Sequence, residues 1–237
     1  MARKMRTSGS MFSCAFAAAL LLGPDTAVAQ DKGAPVAAPA WNTQTSTQAD
    51  SNGITLEPRQ VEIVKLVSSY FNGIENLKGT FVQTSPDKKR LRGKVFMKKP
   101  GRIRFEYAPP SRQLIISDGK QIAIQDLDIN TDDRVMVDQT PFRMLLKTDV
   151  DLLRDARILE VQEDADLLIV SVQDKSKDAT GKVRLFLQSK PVVELKEWVT
   201  TDAQGLDTRL EVANLDKSAT VDADLFKITS PQLKNLQ

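Results

Sequence analysis

From Arg102 to Tyr107 the chain reads Arg-Ile-Arg-Phe-Glu-Tyr, charged and apolar side chains alternating without a break. Side chains of a strand point to opposite faces in turn. The segment therefore predicts a strand with one face in a core and one in water. Pro109-Pro110 stops it. A period of two recurs at Thr80–Thr84, Gly93–Lys98, Gln113–Ser117, Gln121–Gln125, Ala156–Gln162, Leu167–Gln173, Lys182–Leu187, Val192–Thr200 and Thr208–Leu215. The breaks are turn-formers: Asp118-Gly119-Lys120, Asp164-Ala165-Asp166, Ala179-Thr180-Gly181, Lys190-Pro191 and Asp202-Ala203-Gln204-Gly205. Short strands joined by such turns predict an antiparallel meander.

One segment follows another period. Val61, Val64, Val67, Phe71 and Ile74 form one stripe of a helix over Glu57–Ile74, with Pro58 in its first turn and Gly73 at its end. Short helices are expected over Pro141–Lys147, N-capped by Thr140, and over Asp151–Arg154. The expected architecture is mainly β (α+β), a highly curved antiparallel sheet with helices covering its apolar face.

The start of the chain is an address. Arg3, Lys4 and Arg6 precede an uncharged run from Met11 to Leu22, then Gly23-Pro24 and Ala27-Val28-Ala29. This predicts a signal peptide over 1–29, cleaved between Ala29 and Gln30, and a periplasmic or secreted product. A run of that length spans about 18 Å, too little for a membrane anchor. Cys14 lies inside the run and not behind a lipobox, so no lipid anchor is expected. Residues 30–54, rich in Ala, Pro, Thr, Gln and Ser, read as a disordered leader in which Trp41 stands alone. Residues 55–237 form one domain.

The composition excludes much chemistry. There is no histidine, and Cys14 is the one cysteine. Ser-His-Asp and Cys-His sets, histidine-containing zinc sites and internal disulfides are therefore impossible within the chain. Asp126, Asp128, Asn130 and Asp132 alternate like calcium-loop oxygens, but Thr131 and Val137 stand where that loop needs Gly and a carboxylate. The stretch reads as a polar loop between strands. Gly93-Lys94, Gly119-Lys120 and Gly181-Lys182 lack the spacing of a phosphate loop. Acidic neighbours such as Asp132/Asp133 and Asp149/Asp151 could serve a glycosidase, yet they sit almost wholly in turns. We expect no enzyme, no cofactor and no metal site.

From Lys88 to Arg104 there are nine basic residues and no acidic one. Arg90, Arg92, Lys94, Lys98, Arg102 and Arg104 are even-numbered; Val95, Met97, Ile103, Phe105 and Tyr107 are odd. Each strand would thus show a basic face and an apolar face. The basic face suits anionic headgroups, an acidic protein partner or plain solvent; the export signal and the lack of interleaved aromatics argue against nucleic acid. The apolar face suits a core or a cavity for acyl chains.

At this point the residues resemble a family. Phe81-Val82-Gln83, the run Gly93 to Tyr107 containing Lys99-Pro100-Gly101-Arg102, then Pro110, Ile115-Ile116-Ser117-Asp118-Gly119-Lys120 and Thr140-Pro141-Phe142 occur in the order of the periplasmic outer-membrane lipoprotein carrier family, LolA. The Asp202–Gly205 turn and Leu225-Phe226-Lys227-Ile228 before Pro231 extend the resemblance over Glu57–Pro231. It implies an unclosed, strongly curved antiparallel β half-barrel of about eleven strands, with a helical lid and one long N-terminal amphipathic helix. It also implies a periplasmic chaperone, acting as a monomer, that takes acylated lipoproteins from an inner-membrane ABC transporter to an outer-membrane receptor. The alternative on the same fold is a periplasmic lipid-binding or stress-sensing module.

The resemblance assigns roles. Phe81, Val95, Met97, Ile103, Phe105, Tyr107, Ile116, Ile122 and Ile124 would line the acyl-chain cavity. Phe142, Met144, Leu145 and Leu146 would form the lid. The basic even-numbered residues would face partners. The family often has Arg before this proline, bonded to lid-helix carbonyls as a latch. Here Lys99 stands there and lacks the planar fork. The family's "W-Y-D-P" strand is here Ala123-Ile124-Gln125-Asp126-Leu127.

Overall fold

A computed structural model describes residues 53–229. The expected signal peptide, most of the leader and the last residues of the expected domain lie outside that range. Gly53 and Ile54, expected in the leader, already belong to the fold: the Ile54 N–H donates to the Ile158 carbonyl at 3.1 Å.

Helix α1 is Pro58–Asn72. It is followed by β1 (Asn76–Thr84), β2 (Arg90–Lys98), β3 (Arg102–Tyr107), β4 (Gln113–Asp118), β5 (Gln121–Asp126) and β6 (Thr131–Met136). Two 3-10 turns, Val137–Gln139 and Arg143–Leu146, and a one-turn helix α2 (Leu152–Asp155) lead on. The chain then forms β7 (Ala156–Asp164), β8 (Leu167–Asp174), β9 (Lys182–Gln188), β10 (Glu194–Thr201) and β11 (Asp207–Asp216). A last 3-10 turn spans Ala223–Phe226.

All eleven strands form one sheet in the order β6-β5-β4-β3-β2-β1-β11-β10-β9-β8-β7. Among the described residues, only the β1–β11 contact joins strands distant in sequence, and β6 and β7 are left as edges. The sheet is open, and it is curled. Phe105 on β3 and Trp198 on β10 have ring centroids 6.4 Å apart. Four strand steps separate them, about 19 Å in a flat sheet. Register shifts at Lys78/Thr80, Leu195/Glu197 and Ile158/Glu160 mark bulges, which bend strands and raise their twist.

The sheet wraps α1. Ile63, Val64, Val67, Tyr70, Phe71 and Ile74 are buried against the concave face in one continuous core. Val61, expected on that stripe, is only half-buried. The predicted stripe was one position too narrow, missing Ile63 and Tyr70.

Two sequence expectations need correction. Thr131–Met136 is a strand and not the continuation of a loop. It is an edge strand with most side chains in water, so it carries no apolar alternation. Over Pro141–Lys147 only a 3-10 turn forms, at Arg143–Leu146. Thr140 is not its N-cap; the Thr140 hydroxyl donates back to the Val137 carbonyl at 2.6 Å and closes the preceding turn.

Candidate functional site

The site expected from the sequence is the concave face, and strand register decides who stands on it. Directly opposed residues share a face. Val95 opposes Phe105, Phe105 opposes Ile115, and Ile115 opposes Ile124. Met97, Ile103, Ser117 and Ile122 form the next row. Phe81, Gly93 and Tyr107 form a third. The Phe81 ring lies over Gly93, where a Cβ would meet it at 2.7 Å and the Glu106 carbonyl at 2.0 Å. Phe81 is T-shaped to Phe105 at 5.2 Å and to Tyr107 at 5.1 Å. The Tyr107 hydroxyl donates to Gln83 Oε1 at 2.6 Å, and burial pushes its pKa up to about 12.

The structure thus brings Phe81, Val95, Met97, Ile103, Phe105, Tyr107, Ile122 and Ile124 to one face. Ile116 is the exception. It opposes Arg104 and Ala123, and so stands on the outer face. Its neighbour Ile115 takes the inward position. Both residues of Ile115-Ile116 are apolar, so alternation could not choose between them.

Trp198 was missed for a related reason. Leu195 and Trp198 both oppose inward residues of β9, Leu187 and Leu185, although they are three apart. The bulge at Leu195/Glu197 absorbs the extra residue. A strict period of two cannot show this.

The concave face is filled by the protein itself. Phe105 and Ile103 are each 7% exposed, in one core with α1, Met144, Leu145 and Leu146. Phe142 packs at its margin, half-buried. Of the expected cavity and lid residues, Leu146 alone lines either of two open recesses of about 390 and 440 Å³. The interior is closed, with apolar side chains of helix and lid occupying the space.

The closure has identifiable ties. Asn72 Nδ2 donates to the Val150 carbonyl at 2.9 Å, and the Val150 N–H returns to Asn72 Oδ1 at 2.7 Å. The Leu152 N–H donates to Ser68 Oγ. The Gly101 N–H donates to the Leu146 carbonyl at 2.9 Å. Lys99, expected to latch the lid segment, instead donates from Nζ to the Phe71 carbonyl in the last turn of α1. The lysine stem reaches one acceptor only, at the end of a helix where a cation is favoured. It lies 8% exposed, and burial pushes its pKa down to about 8.

On the outer face the basic stretch is divided. Lys98 Nζ donates to the Val221 carbonyl and Arg104 Nη1 to the Leu225 carbonyl, so both hold down the C-terminal segment. Arg104 also pairs with Glu106, and Arg90 with Glu211. Arg92 and Lys94 remain exposed without an ion pair among the described residues, and Arg102 is half-buried. Gln125 Nε2 completes the strap by donating to the Thr229 carbonyl. Ile116, Ala123 and Phe226 are buried on this side.

Among the described residues no group of three His, Cys, Asp or Glu is placed to hold a metal. No described helix is long and apolar enough to cross a membrane.

Fold and site define a lidded, unclosed β half-barrel wrapped around an apolar interior. The chain belongs to the LolA family, described as outer membrane lipoprotein carrier protein LolA, whose model matches residues 72–229. It is 29% identical to an outer-membrane lipoprotein carrier protein of Leptothrix cholodnii, over 73% of this chain and 84% of that protein. It is 26% identical to one of Chromobacterium violaceum, over 74% and 87%. The crystal structure of a LolA superfamily protein from Nitrosomonas europaea is 13% identical, covers 70% of this chain and 97% of that one, and gives a TM-score of 0.39.

Proposed function

We propose that this protein is a periplasmic chaperone. It receives lipoproteins from an inner-membrane ABC transporter, shields their acyl chains on its concave face and delivers them to an outer-membrane receptor. The observation that carries this reading is the family membership, joined to a continuous apolar interior on which Met144, Leu145 and Leu146 close.

The energetics fit. A triacylated lipoprotein exposes some forty methylenes, on the order of 30 kcal/mol in water at about 0.8 kcal/mol each. Cargo entering the interior would displace Phe142, Met144 and their neighbours, exchanging one apolar contact for another. The net affinity is then modest, as a carrier that releases without ATP requires. The role needs no covalent chemistry, no cofactor and no nucleic acid, and one copy of the chain suffices. The free cations Arg92 and Lys94, with Lys88 and Lys89 of the adjoining turn, would meet an acidic partner surface.

Mass spectrometry of the protein purified from periplasm tests the proposal. Intact triacylated lipoproteins bound to it are the expected result. Free lipid alone would replace the proposal with the lipid-binding module, and glycan products with an enzyme.

A further inference from the structure

The C-terminal strap crosses the outer face on a diagonal. Its carbonyls at Val221, Leu225 and Thr229, at every fourth residue, are held in turn by Lys98 of β2, Arg104 of β3 and Gln125 of β5. Lys98 opposes Arg102, and Arg104 stands one outward position further along β3. Gln125 opposes Leu114, which opposes Glu106, one outward position further again. Each anchor thus lies closer to β6 and closer to the turn that joins β5 to β6. Thr229 is the last described residue. The next strand on the strap's course is β6, about 4.8 Å away. Residues 230–237 can extend over about 26 Å, ample to cross it.

The corner in front of Thr229 lacks a partner. Opposite Gln125 stands Asp132. Its Oδ2 accepts from Arg134 at 2.9 Å, while its Oδ1 is buried without a hydrogen bond among the described residues. A buried oxygen left so is costly unless a donor reaches it. Two positions from Gln125, on the same outer face, Leu127 is 38% exposed, and Ile129 in the turn is 66% exposed. Asp126, Asp128, Asp132 and Asp133 bring more negative charge to this corner than Arg112 and Arg134 balance. Residues 230–237 carry what the corner lacks: Leu233 and Leu236, the cation Lys234 and no acidic side chain.

We infer that residues 230–237 dock on the β5–β6 corner and finish the strap there. Leu233 covers Leu127 and Ile129, and a donor of the tail reaches Asp132 Oδ1. So laid, the tail keeps an apolar corner beside an edge strand from meeting a second copy of the chain. The inference does not depend on the carrier reading.

Hydrogen exchange on the whole protein tests the docking, with a free peptide of residues 229–237 as reference. The amides of Leu233 to Leu236 should exchange roughly tenfold more slowly in the protein, the effect of burying part of one leucine side chain. Leu127→Asp changes an exposed side chain and should abolish that protection, as should Leu233→Asp in the tail itself. Leu127→Asp combined with Leu233→Lys should bring much of it back, which a tail held elsewhere would not do. Exchange of the tail at the peptide's rate in the unaltered protein overturns the inference. So does protection that survives Leu127→Asp. Protection of Leu127 to Asn130 that rises with protein concentration while the tail exchanges freely would assign the corner to a second copy, and overturns it too.

Discussion

The Lys99 ammonium donates to the Phe71 carbonyl at 2.7 Å and so joins the β2–β3 turn to the last turn of α1. This one bond crosses from the barrel rim to the helix that fills the barrel. The lysine is buried, and its pKa falls from 10.5 to about 8. Between those values the folded chain binds fewer protons than the unfolded chain, so this group makes stability rise with pH. Below about 8 the folded state bears the full cost of the buried charge. Urea titrations of wild type and Lys99→Met at about pH 7 and pH 10 isolate the effect. The stability difference should move in favour of wild type at the higher pH; a difference independent of pH would mean that the charge is not buried.

Phe105 sits between Phe81 and Trp198 in the closed core. Phe105→Ala should cost about 3–5 kcal/mol, read as a lowered denaturant midpoint. Phe105→Glu or Ile103→Glu would put an unpaired carboxylate in the same place and should prevent folding altogether. Loss of cargo uptake in such a Glu variant would therefore report the fold and not the cavity. A folded Phe105→Glu protein with native circular dichroism would show that the interior admits water.

Gly93 is required by close approach. Any Cβ there meets the Glu106 carbonyl at 2.0 Å and the Phe81 ring at 2.7 Å. Gly93→Ala should separate β2 from β3 and tilt Phe81 off its partners. We expect a loss of more than about 2 kcal/mol, within the range of overpacked cores, together with changed near-ultraviolet dichroism. Unaltered stability would place the ring elsewhere.

Phe226 is the anchor of the C-terminal strap, 2% exposed beside Val221 and Ala219. Phe226→Ala should loosen the segment from Lys98 and Arg104 and expose it to proteolysis near Lys227. The near-ultraviolet dichroism of Trp198 beside Phe105 should be unchanged, because the strap can open locally while the concave core stays folded. Equal protease resistance of the variant would show that the carbonyl bonds from Lys98 and Arg104 suffice.

Much of the fold was legible. Arg102–Tyr107 was bounded correctly because both faces of β3 obey one rule, apolar inward and charged outward. β6 was not legible, since an edge strand in water has no apolar face to announce it. Ile103 and Phe105, with a charged neighbour on each side, fell on the concave face as expected, and so did Phe81, Val95, Met97, Tyr107, Ile122 and Ile124. Ile116 did not, because Ile115-Ile116 offers two apolar residues to two faces that are both covered. Nothing local to Ile116 tells of the strap that buries it, which lies about a hundred residues further on.

The sequence by itself determined the strand alternation, the amphipathic helix, the turns and the absence of histidine chemistry. Each depends on near neighbours or on composition. Only the tertiary structure decided that the two ends of the meander meet at β1–β11 and curl until Phe105 reaches Trp198. It alone decided that Lys99 binds α1 and not the lid, and that Arg143 finds Asp174. These are contacts between distant segments. A lone Lys or Asp carries no mark of its partner until burial leaves the pair no other hydrogen bonds to make.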